Sequence, residues 1–172
     1  PLYSSAASDV YKRQHYIGLC LHPDYRISSK HALRISNSLK TICQSLFASC
    51  EEKEAGPLVK PLLNALTEAR DEDRFVLVDA LCHVPCRYLP KKELPELSAR
   101  LAAMLGTGNT ELDIITLHML LRLTHAEQGL RPAVCAAVRQ YAPRWEDHLA
   151  HDWLKARLLA EPVAALDART VS

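Results

Sequence analysis

Apolar residues recur at every third or fourth position along most of this chain, and that spacing limits the folds it can adopt. In the stretch that begins at Ser29, the apolar positions are Ile35, Leu39, Ile42, Cys43, Leu46, Phe47 and Cys50. Residues spaced i, i+3, i+4 and i+7 lie on one face of an α-helix. No segment alternates polar and apolar residues in the way that a half-buried strand does. The sequence therefore predicts an all-α fold.

The same spacing divides the chain into seven predicted helices. The first begins at Ser28 or Ser29 and ends before Gly56. The others are predicted over about 57–69, 71–84, 93–105, 110–124, 130–141 and 145–159. Pro57 and Pro61 are assigned to the start of the second helix, where a missing N–H costs least.

The fifth predicted helix is apolar on nearly all sides, which is typical of a central, buried helix. It is preceded by the segment GTGN, in which Gly106 and Gly108 are predicted to cap the fourth helix and form a turn. The proline-containing segment 84–90 is predicted to end the third helix.

Helix pairs recur along the chain at nearly constant intervals. Residues 75–84, FVLVDALCHV, superpose on residues 114–123, IITLHMLLRL, at an offset of 39 residues. The helices that follow these two superpose at an offset of 37 residues. This spacing, with a proline at the start of the second helix of each pair, resembles HEAT-type or armadillo-type repeats over about residues 29–159. The resemblance implies a right-handed α-solenoid of about three helix pairs plus a terminal helix; a compact helical bundle is the alternative.

In such a stack the second helix of each pair usually lines a concave surface that binds a partner. The polar positions predicted to face the partner are Lys60, Asn64, Arg100 and Arg139. An ordinary solvated helix face is the alternative interpretation of these positions. Three aromatic residues near the C-terminus, Tyr141, Trp145 and Trp153, are candidate interface anchors, although the two tryptophans are better explained as sealing the end of the core.

The first fourteen residues have a different character. Ser4 to Gln14, SSAASDVYKRQ, can be back-translated codon by codon into a transposase adapter used to prepare sequencing libraries. We therefore expect residues 1–14 to be a non-native tail that resembles this translated adapter. Residues 15–172 are expected to form a single helical domain that is truncated at its N-terminus.

The charge balance argues against a nucleic-acid partner. Removing Lys12, Arg13 and Asp9 from the 21 basic and 20 acidic residues leaves 19 of each, whereas phosphate binding usually demands a basic excess. No apolar run reaches the roughly 18 to 20 residues that cross a bilayer. The six cysteines lie singly on predicted helix faces, which favours reduced thiols and a cytoplasmic protein.

Two clusters contain residue types that bind metals. Cys82, His83 and Cys86 offer soft ligands for zinc but lack a second paired motif, so a core cysteine beside a helix-terminal histidine is the preferred interpretation. His148, His151 and Asp152 lie about one helical turn apart, where a solvated polar face is preferred. His118, within the most apolar helix, is predicted to be a neutral, hydrogen-bonded core residue.

These patterns favour a protein-binding scaffold, or a segment of a larger helical-repeat protein, without a cofactor, a bound metal or catalytic residues. Two alternatives stay open. One is a nucleic-acid repair enzyme built on HEAT-like repeats, and the other is a helical metal-dependent hydrolase that uses His148, His151 and Asp152.

Deletion of residues 1–14 should leave the melting temperature nearly unchanged, because a polar tail buries little apolar surface. Thermal denaturation followed by circular dichroism compares the full and shortened chains. A fall of many degrees would show that these residues belong to the folded domain.

Overall fold

The structure, a computed structural model, describes the backbone of residues 29–141 and 156, and the side chains of residues 39–71, 73–141 and 156. Six α-helices occupy this range: α1 (Ser29–Ala48), α2 (Glu52–Thr67), α3 (Asp71–Cys82), α4 (Leu94–Ala103), α5 (Thr110–Ala126) and α6 (Arg131–Tyr141). Short 3₁₀ turns cover Cys86–Tyr88, Lys91–Glu93 and Gln128–Leu130. No strand occurs in the described residues, so the all-α prediction is confirmed. The predicted seventh helix, 145–159, lies outside them except for residue 156, which is helical.

The predicted boundary between the first two helices is wrong. The first helix ends at Ala48 and the second begins at Glu52, so Pro57 and Pro61 lie inside α2 rather than at its start. Each proline removes one N–H from the helix ladder, but both lie at least partly at the surface. The helix persists because its other face is buried through Ala55, Leu58, Val59, Leu62, Leu63 and Leu66.

The helices pack in a regular order. The first helices of the three predicted pairs lie side by side, with α3 between α1 and α5. Each second helix packs against the next first helix, α2 against α3 and α4 against α5. The second helices α4 and α6 also contact each other. The described residues therefore form two facing sets of helices around a shared core.

Helix α5 is central, as its apolar sequence predicts. It packs against α3, α4, α6 and the turn Cys86–Tyr88. Its side chains with no solvent exposure include Thr116, Leu117, Met119, Leu120 and Leu123. Burial of so many large side chains is the main favourable contribution to folding in this region.

The turn before α5 has the backbone conformation that its two glycines predict. Gly106 and Gly108 have φ angles of 72° and 88°, in the left-handed region that residues with a side chain rarely adopt. The Asn109 side chain accepts a hydrogen bond from the Leu112 N–H at 3.1 Å and so caps the helix. The Asp113 carboxylate accepts another from the Gly106 N–H at 2.9 Å. These bonds fix the angle at which α5 follows α4.

The proline-containing segment 84–90 ends α3 as predicted, and it also packs against α1. Tyr88 is buried, and its ring lies 6.0 Å from that of Phe47 in α1. The Tyr88 hydroxyl donates a hydrogen bond to the Cys50 carbonyl at 2.8 Å, and the Arg87 guanidinium lies 4.6 Å from the centre of the same ring. The segment thereby ties the α1–α2 connection to the end of α3.

The five cysteines in the described residues carry free thiols, as predicted. Only Cys43 and Cys135 are buried; the other three, Cys50, Cys82 and Cys86, are partly exposed. Within the described range, no helix combines the length and hydropathy that a bilayer crossing requires.

Replacing Leu117 or Leu120 with Ala should lower the free energy of unfolding by about 2–5 kcal/mol, because each substitution leaves a cavity in the centre of the core. Replacing the exposed Lys60 with Ala is the control and should change it by less than about 0.5 kcal/mol. Urea denaturation measures all three. If the leucine variants matched the control, α5 would not be the central helix.

Candidate protein-binding groove

An open groove of about 670 Å³ lies between the second helices α4 and α6. Its walls carry small side chains from both helices: Ser98, Ala99, Ala102 and Ala103 from α4, and Ala133, Val134 and Ala137 from α6. The large apolar residues of both helices, such as Leu97, Leu101 and Val138, are buried, whereas Ala99, Ala103 and Ala133 are exposed in the groove. Its surface is therefore largely apolar and accessible.

The polar groups of this groove lie at its edges. Lys91 and Glu127 are both exposed and contribute one charge of each sign. Gln140 and Tyr141 line the groove at the end of α6. Tyr141 is one of the aromatic residues nominated as an interface anchor, and it is half-buried here. The Ser98 hydroxyl, in contrast, is turned to its own helix and donates a hydrogen bond to the Pro95 carbonyl at 2.9 Å.

The four residues predicted to bind a partner do not form one cluster. Lys60, Asn64 and Arg139 are exposed, and Arg100 is half-buried. Asn64 and Arg100 line a smaller groove of about 120 Å³ between α2 and α4. Neither Lys60 nor Arg139 lines either groove.

Arg100 is already engaged within the protein. Its guanidinium forms an ion pair with Glu96 one turn earlier in α4 and donates a hydrogen bond to the Thr67 hydroxyl of α2. The hydrogen bond to Thr67 joins α4 to α2 across the smaller groove, and the ion pair with Glu96 orients the Arg100 side chain. Arg100 therefore has a structural role that the sequence pattern did not predict.

The larger groove was not predicted from the sequence, although a signal for it is present. The second helices contain SARLAA at 98–103 and PAVCAA at 132–137, and both are rich in alanine on the side away from the core. Small residues on both of these helices leave space between them. The predicted binding residues were chosen among the polar positions of the second helices, so these alanines were not considered.

The geometry of Cys82, His83 and Cys86 favours a structural role over metal binding. The Cys82 thiol donates to the Ile115 carbonyl at a sulfur–oxygen distance of 3.8 Å, and burial raises the pKa of Cys82 to about 12. A thiol with such a pKa is protonated at neutral pH, which is unfavourable for metal binding or nucleophilic attack. The described residues contain no group of three or more potential ligands placed to hold a metal ion. His148, His151 and Asp152 lie outside the described residues.

His83 lies in a polar cluster between α1 and α3. Its Nδ1 is 3.3 Å from the Gln44 amide nitrogen, and its Nε2 is 3.7 Å from an Asp79 carboxylate oxygen. Asp79 also lies 4.0 Å from the Lys40 ammonium. Partial burial lowers the pKa of His83; Asp79 opposes this effect, and the Lys40 and Arg122 cations add to it. His83 is thus a neutral residue at the end of α3, not a cation that complements the helix dipole.

The prediction that His118 lies in the core is wrong. Its side chain is exposed on α5, since even this central helix keeps one narrow strip in contact with solvent. Desolvation by its neighbours lowers the pKa of His118, and the nearby Arg122 cation lowers it further. The lowered pKa agrees with the predicted neutral form of His118, whereas its exposed side chain contradicts the predicted burial.

The fold should lose stability as the pH falls from about 7.5 to about 5.5. The folded state holds His83 with a pKa below its ordinary value of 6.5, so the unfolded chain binds more protons in this range and is favoured by acid. The variant His83→Gln should show a smaller loss than the original protein. Urea midpoints at several pH values test this, with His118→Gln as a parallel variant that removes the second such group. If His83→Gln lost as much stability as the original protein when the pH falls, the lowered pKa of His83 would be contradicted.

Comparison of the chain with protein-family models, with curated protein sequences and with solved structures finds no match. The basis for a function is therefore the geometry of the α4/α6 groove and the residues around it.

Proposed function

We propose that this protein is a protein-interaction scaffold, or one segment of a larger helical-repeat protein, and that its partner binds the face formed by α4 and α6. The observation that carries this proposal is the open, alanine-lined groove of about 670 Å³ between the second helices of two successive pairs. An accessible apolar groove of this kind offers surface that a partner can remove from water on binding.

For the architecture we propose a HEAT-like right-handed solenoid, which the side-by-side packing of α1, α3 and α5 supports. A compact bundle stays the alternative, because the two helices of the first and second predicted pairs do not pack extensively against each other. In a stack of helix pairs, each first helix contacts the first helices of neighbouring pairs, as α3 contacts α1 and α5. The second helices form their own layer, as α4 and α6 do. Each pair buries its apolar face on its neighbours, which leaves the outer surface of the second layer available for a partner.

The charge of the groove favours a protein partner over a nucleic acid. Among the described residues that line it, Lys91 is the only base and Glu127 the only acid. Proteins that bind DNA or RNA depend on several Lys or Arg contacts to phosphates. A neutral, apolar groove with one tyrosine suits another protein better. Lys60, Asn64, Arg100 and Arg139, which lie on the second helices α2, α4 and α6, are proposed to contribute polar contacts with the partner outside this groove.

The test is affinity capture with three versions of the protein. Ala133 is exposed and lines the groove, so Ala133→Arg should block it with a large charged side chain. Ala136 is exposed on the same helix but does not line the groove, so Ala136→Arg is a matched control. Arginine is a good helix former, so both variants should fold.

Quantitative mass spectrometry of the captured proteins should show a partner that the original protein and Ala136→Arg retain and that Ala133→Arg loses at least tenfold. Equal melting temperatures of the two variants establish that the loss is local. Retention of every specific partner by Ala133→Arg would contradict binding at this groove.

A further inference from the structure

We draw no further inference here: the strongest candidate, the open groove between α4 and α6, is an apolar surface lined by small side chains, and nothing in the described part of the chain shows what covers it.

Discussion

The contact between α3 and α5 is the interaction on which the rest of the described structure depends. Leucines from both helices are fully buried along it, and Arg122 of α5 secures its end. The Arg122 guanidinium donates hydrogen bonds to the carbonyls of Cys82 and Val84, the latter at 2.9 Å. The last carbonyls of a helix lack partners within it and carry partial negative charge. One side chain therefore satisfies the end of α3 and fixes how α5 lies against it.

Once α3 and α5 are fixed, the second helices have little freedom. Helix α4 is joined to α5 by the short glycine turn, whose two left-handed residues and Asn109 cap determine the reversal of the chain. Helix α6 follows α5 through the Gln128–Leu130 turn. Both second helices bury leucine or valine and expose alanine in the groove. The groove between them is thus a consequence of how large and small residues are distributed between the two faces of each second helix.

Helical spacing predicted α3, α4, α5 and α6 within a few residues because it reports which face of a helix is buried, and burial dominates in this domain. It failed where another effect decides the outcome. Pro57 and Pro61 suggested a helix start, yet burial of the opposite face carries α2 through both. His118 suggested a core residue, yet it occupies the narrow exposed strip of α5. Arg100, a predicted binding residue, also has partners within the protein, Glu96 and, on another helix, Thr67. Contacts between helices are not encoded in the spacing within one helix.

Cys82 and His83, two of the potentially reactive side chains in the described region, are engaged with neighbouring groups, whereas the groove between α4 and α6 is open. Burial keeps the Cys82 thiol protonated, and both ring nitrogens of His83 face neighbours in the protein. These contacts stabilise the packing of α3 against α1 and α5. The layer of second helices has the opposite character, with exposed small residues and two edge charges that have no described ion-pair partner. An accessible apolar surface of the described region therefore lies between α4 and α6, away from Cys82 and His83.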